Sequence, residues 1–357
     1  MRIVVAMSGG VDSSVAAALL AREGHDVIGL SMQLYDHSPS GEDDGAIRFG
    51  SCCTLDDLYD ARRVARSIGI PHYIVNFEQR FEDHVVSDFV REYAAGRTPI
   101  PCVHCNGDLK FASLVERARG FEAAAVATGH YARVDQDPSS GRFRLLRGVD
   151  RGKDQSYFLF TLSQEQLSRA RFPVGGLDKT AVREEARRLG LAVAEKQDSQ
   201  EICFVAAGAH AEFVGKRATV PAGTIRDLDG QVMGQHDGVH RFTIGQRKGL
   251  GLSSPIPLYV VGIDAATSQV TVGPRDALER STLTASRVNW IAGNAPAGPL
   301  RAQVKIRHRH ADASATVIAV DGNRAQVHFD APQQAVTPGQ AAVFYDDEEV
   351  IGGGWID

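Results

Sequence analysis

Ile3-Val4-Val5-Ala6-Met7-Ser8-Gly9-Gly10-Val11-Asp12-Ser13-Ser14 opens the chain and decides the fold. Residues 3–7 are continuously apolar, as suits a strand buried on both faces of a parallel sheet. The run stops at a serine and two glycines, and residues 13–22 then read as a helix with an Ala/Leu face. A turn between such a strand and helix gathers backbone N–H groups and the positive end of the helix dipole, which together favour an anion. Gly9 and Gly10 permit positive φ and close approach of a ligand. Ser8, Ser13 and Ser14 add hydroxyl donors. The stretch is not a Walker loop, because it lacks the lysine that would reach the β- and γ-phosphates.

The pattern repeats downstream. Residues 27–32 predict a strand, 55–68 a helix with Thr54 and Asp57 in a capping-box-like start, 73–75 a short strand, 81–94 a helix and 123–127 a strand. Repeated βα units imply a parallel sheet with helices on both faces. Residues 36–50, rich in Gly, Asp and Ser, are expected as a loop. Residues 135–141 turn a hairpin whose return strand carries Arg142, Arg144 and Arg147, and 182–189 predict a helix ended by Gly190. After about residue 205 helical periodicity fades. Residues 220–273 read as a small β-rich unit, and from 283 onward four or five short alternating strands suggest an antiparallel barrel. The expected class is α/β: a Rossmann-like nucleotide-binding domain over 1–205, a central β-rich domain over 206–278 and a C-terminal β-barrel over 279–357.

The 357 residues are 43% hydrophobic and 23% charged, a globular composition that excludes a disordered chain. No apolar run approaches the ~18 residues of a membrane span. The first strand breaks at Ser8, too early for a signal peptide. No membrane partner and a cytoplasmic location are therefore expected. A net charge of −5 argues against non-specific nucleic-acid coating but leaves room for a local basic groove. The five cysteines are Cys52, Cys53, Cys102, Cys105 and Cys203. An odd number in a chain of this size argues against a disulfide scaffold and leaves reactive thiols, a metal site or a redox pair. Cys52 and Cys53 fall near the expected loop and receive no role.

Cys105 lies in Pro101-Cys102-Val103-His104-Cys105-Asn106-Gly107-Asp108-Leu109-Lys110-Phe111. Asn106 is read as the N-cap of a helix running to about Arg117, which places Cys105 just before a helix start, where a thiolate is stabilised. His104 and Lys110 add positive charge. Cys203 closes Asp198-Ser199-Gln200-Glu201-Ile202-Cys203, a polar run leading into an apolar patch. Near the C-terminus Arg301-Ala302-Gln303-Val304-Lys305-Ile306-Arg307-His308-Arg309-His310 alternates. As a strand it sets Arg301, Lys305, Arg307 and Arg309 on one side, a basic ribbon that is either a solvated face or, in a barrel that grips RNA, a surface for phosphates with Arg307 and His308 as candidate contacts.

The loop Ser8 to Ser14 resembles the pyrophosphate loop of the ATP-pyrophosphatases, which implies ATP cleaved between its α- and β-phosphates. With it come Cys105-Asn106 and Lys110-Phe111, Ala127-Thr128-Gly129-His130-Tyr131 and Lys153-Asp154-Gln155-Ser156-Tyr157-Phe158-Leu159. The series continues with Asp198-Ser199-Gln200-Glu201-Ile202-Cys203-Phe204, His240-Arg241-Phe242-Thr243-Ile244-Gly245-Gln246-Arg247-Lys248-Gly249 and Pro338-Gly339-Gln340-Ala341-Ala342-Val343. Over nearly its whole length the sequence resembles the bacterial tRNA 2-thiouridylases, the MnmA/TrmU family. That resemblance implies an ATP-pyrophosphatase catalytic domain over 1–205 and a tRNA-binding barrel at the C-terminus. It also implies adenylation of the C2 oxygen of the wobble uridine, followed by sulfur transfer. By the same resemblance, Ala6, Met7, Ser8, Gly9, Gly10, Val11, Asp12, Ser13, Met32 and Gly129 bind ATP, with Mg²⁺ beside the triphosphate. Cys203 carries sulfur as a persulfide and Cys105 is the nucleophile, the two ending in a disulfide. Asp12 belongs to the catalytic set. Ile100, Pro101, Cys102, His130, Lys153, Asp154, Gln155 and Gln340 contact tRNA, and a cysteine desulfurase or sulfur-relay protein supplies the persulfide.

One position departs from the family. Many members carry an acid three residues before the nucleophilic cysteine, where this chain has Cys102. The acid/base role is open between Cys102 and His104, and Cys102, Cys105 and Cys203 also match the ligand count of an iron–sulfur cluster. Two other classes compete. An amidating ATP-pyrophosphatase has no need of the thiols, and a non-enzymatic RNA-binding or metal-sensing protein would not consume ATP.

Overall fold

The computed structural model describes residues 1–35, 55–198, 202–206, 208–321 and 323–357. The expected loop at 36–50, the cap residue Thr54, Cys52, Cys53 and residues 199–201 of the Cys203 motif lie outside the described residues. The chain forms two compact units. The first holds 1–85, 102–207 and 348–350; the second holds 86–101, 208–347 and 351–357.

The first unit alternates strand and helix. β1 (Arg2–Ala6), α1 (Val11–Arg22), β2 (Asp26–Gln33), α2 (Leu55–Ser67) and β3 (His72–Asn76) come first. A helical run follows: α3 (Glu78–Phe81), a π-helical turn (Glu82–Val86) and α4 (Ser87–Ala94), the last in the second unit. This run starts three residues earlier than expected because Asn76 Oδ1 accepts the Glu78 N–H at 2.8 Å. Next come α5 (Pro101–His104), a π-helical stretch (Cys105–Phe111), α6 (Ala112–Gly120) and β4 (Ala125–Ala127). β5 (Ala132–Gln136) and β6 (Phe143–Arg147) form the predicted hairpin, paired from Ala132↔Arg147 to Gln136↔Phe143. α7 (Gln164–Arg169), β7 (Ala170–Arg171) and α8 (Lys179–Arg188) complete the unit. α8 also starts early: Asp178 caps it, accepting the Ala181 N–H at 2.7 Å, and Gly190 follows its end at φ +65°.

Five strands make one parallel sheet in the order β3-β2-β1-β4-β7. β1 is central, which is why residues 3–7 are apolar without alternation: Ile3, Val4 and Val5 are buried on both faces. Val15, Ala16 and Leu20 of α1, with Val182 and Ala186 of α8, belong to the core that includes Ile3 and Val5.

In the second unit α9 (His210–Gly215) precedes β8 (Gly223–Arg226), β9 (Val232–His236), β10 (Tyr259–Asp264) and β11 (Gln269–Gly273). These four strands form a sheet in the order β10-β11-β8-β9 over Ile225, Phe242, Val260, Val270 and Val272. β12 (Glu279–Trp290), β13 (Leu300–Lys305), β14 (Ala313–Ala319), β15 (Ala325–Gln334), β16 (Ala341–Asp346) and β17 (Glu349–Ile356) follow. Their order, β12-β15-β14-β13-β16-β17, closes on itself where β12 pairs with β17 from Ala285↔Ile356 to Trp290↔Gly352. The barrel thus has six strands, more than the alternation alone resolved, around Trp290, Val304, Val317, Val327 and Phe344.

The basic ribbon is shorter than expected. β13 ends at Lys305, so Arg307, His308 and Arg309 lie in the turn beyond it, where the His310 N–H returns to the Arg307 carbonyl at 3.0 Å. Arg301 is on the strand, but both its terminal nitrogens meet the Asp330 carboxylate, which cancels its charge. No helix among the described residues is long and apolar enough to cross a membrane.

Candidate active site

The glycine loop leaves the carboxyl end of β1, between β2 and β4. In an open α/β sheet this is the crevice at which strand order reverses and ligands bind. Gly9 takes φ +75°, and a Cβ there would stand 2.1 Å from the Asp57 carbonyl oxygen, so only glycine fits. The loop is held from within. Ser13 Oγ accepts the Ser8 N–H at 3.2 Å and donates to the Gly10 carbonyl at 3.2 Å, to which Ser14 Oγ also donates at 2.8 Å. It is held from β2 as well, where Ser31 Oγ donates to the Met7 carbonyl at 2.6 Å. Gly10 caps α1 without a side-chain acceptor, so no cap side chain competes with an anion for the first-turn N–H groups. Gly129, just after β4, forms the opposite wall: a Cβ would lie 2.5 Å from the Ser13 nitrogen. Met32, at the end of β2, is buried.

The loop carries no lysine, yet two lysines reach it from the far end of the unit. Lys179 Nζ donates to both Asp12 oxygens, at 2.8 and 2.9 Å, and lies 2.6 Å from Asp198 Oδ1. Tyr131 donates its hydroxyl to Asp12 Oδ1 at 2.7 Å. Lys196 donates to the Gly9 carbonyl at 3.1 Å and to Asp57 and Asp60 at 2.6 Å each, tying the loop to α2. Asp198 also receives Lys153 at 2.8 Å and Arg183 at 3.4 Å. Burial pushes the Asp198 carboxyl up, but the two lysines outweigh it and hold it below the usual range. Burial likewise opposes charge on Lys196, and its two aspartates more than restore it. Burial and the Asp12 charge push the Tyr131 hydroxyl far up, so it stays a donor. Neither lysine carried a motif in the sequence. Only the fold brings α8 and residues 191–198 to the loop.

The thiols occupy the same unit. Helix α5 begins at Pro101, a residue suited to the first helical position, and the helix continues through the π-helical stretch into α6. Asn106 is therefore a buried interior residue and not a cap, and Cys105 lies within the helix, not ahead of it. Cys102 takes the first-turn position instead. Cys105 is buried and Cys102 exposed. Such π-helical turns recur at functional sites. Cys203 is half-buried and followed by the fully buried Phe204, whose ring meets Phe81 edge-on at 5.4 Å.

Of the residues expected at RNA, His130 is half-buried, with Nδ1 2.7 Å from Thr128 Oγ1. Burial, with Lys110 nearby, lowers its pKa to about 3, so it is neutral at physiological pH. Asp154 is buried, accepting the Gly148 N–H and the Ser156 N–H and hydroxyl; it shapes the turn that carries Lys153 and Gln155. Gln155 Oε1 accepts the Tyr131 N–H at 3.0 Å. In the second unit Gln340 Nε2 donates to the Thr98 carbonyl at 2.9 Å, bracing the segment that carries Ile100 and Pro101.

Three family models span the chain: a tRNA methyl transferase HUP domain over 1–207, a tRNA methyl transferase PRC-barrel domain over 211–274 and an aminomethyltransferase β-barrel domain over 280–356. The tRNA-specific 2-thiouridylase MnmA of Geotalea uraniireducens is 54% identical over 100% of this chain and 95% of that protein. The chain belongs to the tRNA-specific 2-thiouridylase family. The MnmA proteins of Geobacter metallireducens (55%, 100% of this chain and 96% of that protein) and Magnetococcus marinus (49%, 99% and 98%) are similar over the same span. The family models carry a methyl transferase description, whereas these full-length relatives are named for thiolation.

Proposed function

We infer that this protein is an ATP-dependent tRNA-uridine 2-sulfurtransferase acting on the wobble uridine in the cytoplasm. The observation that carries the reading is the presence of Cys105 and Cys203 in the same compact unit as the lysine-free phosphate loop, in a chain matched end to end by thiouridylases. The proposed division is a catalytic domain over 1–205, a central domain over 206–278 and an RNA-binding barrel over 279–357.

The C2 oxygen of uracil is a poor leaving group. Ala6 to Ser13, with Met32 and Gly129, bind ATP so that this oxygen attacks the α-phosphate. The P–O bond to the β-phosphate breaks, pyrophosphate departs with the electron pair, and the uracil N3 proton is lost. The loop N–H groups and the α1 dipole stabilise the charge on the departing oxygens. The terminal sulfur of a Cys203 persulfide then attacks C2 and AMP leaves. Cys105 thiolate attacks the Cys203 sulfur, releasing the C2 thiocarbonyl and leaving a Cys105–Cys203 disulfide, which an external dithiol must reduce before the next turnover. Lys153, Gln155, Gln340, Arg307 and His308 position the RNA, and His130 meets it as a neutral ring. The sulfur reaches Cys203 from a persulfide-bearing donor protein.

Mg²⁺ is held through one or two carboxylates plus phosphates, and Asp12 in the first turn of α1 is suited to that; when bound, the ion neutralises polyphosphate charge. The described residues offer an iron–sulfur cluster no three-ligand site. Among the described residues no three His, Cys, Asp or Glu side chains converge to hold a metal.

Mass spectrometry of nucleosides from tRNA incubated with ATP, a persulfide donor and enzyme tests the reading. Wild type should form 2-thiouridine only when ATP is present. Cys203→Ser should abolish both persulfide loading and product, and Cys105→Ser should load Cys203 yet form no product. Normal thiolation by Cys105→Ser would reject the two-cysteine route.

A further inference from the structure

We propose that Lys179 is a catalytic residue of the adenylation step, supplying from helix α8 the cation to the departing pyrophosphate that the glycine loop itself lacks. The inference rests on the ATP-dependent reading above.

The loop presents only N–H groups and hydroxyls to a polyphosphate that carries several negative charges. It also contains its own carboxylate, Asp12, in the first turn of α1. An acid at the positive end of a helix would repel the phosphates that the dipole attracts unless a cation offsets it. Lys179 is that cation. Its Nζ contacts both Asp12 oxygens and Asp198, and its side chain is only 13% exposed. The lysine is placed with precision. It is the first residue of α8, whose cap Asp178 accepts the Ala181 N–H, and its own N–H donates to Asp150 Oδ2 at 3.0 Å. The ammonium also lies 5.9 Å from the centre of the Tyr131 ring, which shields it on one side.

With Asp150 counted, Asp12, Asp198 and Asp150 are matched by Lys179, Lys153 and Arg183, three carboxylates against three cations, so Asp12 does not leave the loop with a net negative charge. Lys179 is shared between two carboxylates and serves neither exclusively, so exchanging one oxygen contact for a phosphate oxygen costs it little. As the bond between the α-phosphorus and the bridging oxygen breaks, the electron pair goes to the β-phosphate oxygen. The Lys179 ammonium stabilises the negative charge that develops there by a charge-assisted hydrogen bond. Lys196 is not the residue for this role, because its three contacts are the Gly9 carbonyl, Asp57 and Asp60, a brace behind the loop.

The test measures RNA-dependent pyrophosphate release and, separately, calorimetric binding of inorganic pyrophosphate without RNA, in wild type, Lys179→Met, Lys179→Arg and the charge-balanced double variant Lys179→Met/Asp198→Asn. Lys179→Met should lower kcat for pyrophosphate release about 100-fold. Its binding of pyrophosphate should weaken about tenfold. Lys179→Arg should recover part of both, while tRNA affinity and the thermal midpoint stay near wild type. The double variant should remain as inactive as Lys179→Met. Recovery of the double variant to wild-type rates would show that Lys179 only neutralises Asp198, and pyrophosphate release by Lys179→Met within threefold of wild type would equally overturn the proposal. A wild-type enzyme that releases no pyrophosphate with ATP and tRNA would instead remove the reading on which the inference rests.

Discussion

His130 shows how a single side chain's surroundings change its chemistry. In the sequence it belongs to the Ala127 to Tyr131 motif and reads as a candidate RNA contact, and a histidine beside RNA invites assignment as a cation. Burial and Lys110 instead lower its pKa to about 3. The folded state therefore holds this ring neutral while an unfolded ring takes a proton below about pH 6.5. Between those two values the unfolded chain binds more protons, so stability is full above about pH 6.5 and falls as the pH drops toward 3. Burial lowers the pKa values of His72, His210, His236, His240 and His310 too, so the slope is shared. Denaturant unfolding at a series of pH values should show His130→Gln with a shallower acid loss than wild type; identical slopes would mean that His130 is protonated when folded. At this scale the sequence was most informative about glycines and serines of the loop, whose roles follow from local geometry. It was silent on Lys179 and Lys196, whose partners lie 167 and 187 residues away along the chain.

Elements were legible where one residue sets a boundary and obscure where two signals compete. Asn106 is a good cap in isolation, yet Pro101 starts the helix five residues earlier and the turn does not break before Gly120. A cap preference of about 1 kcal/mol cannot stop a helix that is already propagating into a packed core. β13 fails in the other sense. Alternation of buried and exposed residues runs on to Arg309, but strand pairing ends at Lys305, because periodicity reports which face is wet and not where the ladder stops. The correction carries a prediction. Arg301 is neutralised by Asp330, whereas Arg307 meets the Gln334 carbonyl at 3.3 Å and, among the described residues, no carboxylate. Replacing Arg307 and Arg309 by Ala should weaken tRNA binding and reduce the slope of log affinity against log salt by about one per lost phosphate contact. Arg301→Ala should leave that slope unchanged. A salt slope that responds to Arg301 and not to the pair would place the RNA on the strand rather than on the turn.

At the scale of the whole molecule the α/β class and the barrel were readable, because buried parallel strands and half-buried antiparallel strands carry different hydrophobic patterns. Strand order and closure were not. Nothing local in residues 279–290 announces that β12 pairs with both β15 and β17, and that double pairing is what closes six strands into a barrel. The catalytic proposal is long-range in the same way. It joins a loop at residues 8–14, a helix interior at Cys105 and a motif at Cys203, all within one unit. Its central claim is that the uracil oxygen leaves as part of AMP. Thiolation of tRNA labelled with ¹⁸O at C2 of the wobble uridine, with mass spectrometry of the released AMP, tests that claim most directly. The account predicts one ¹⁸O in the phosphate of AMP for each 2-thiouridine formed. Unlabelled AMP beside thiolated tRNA would contradict it.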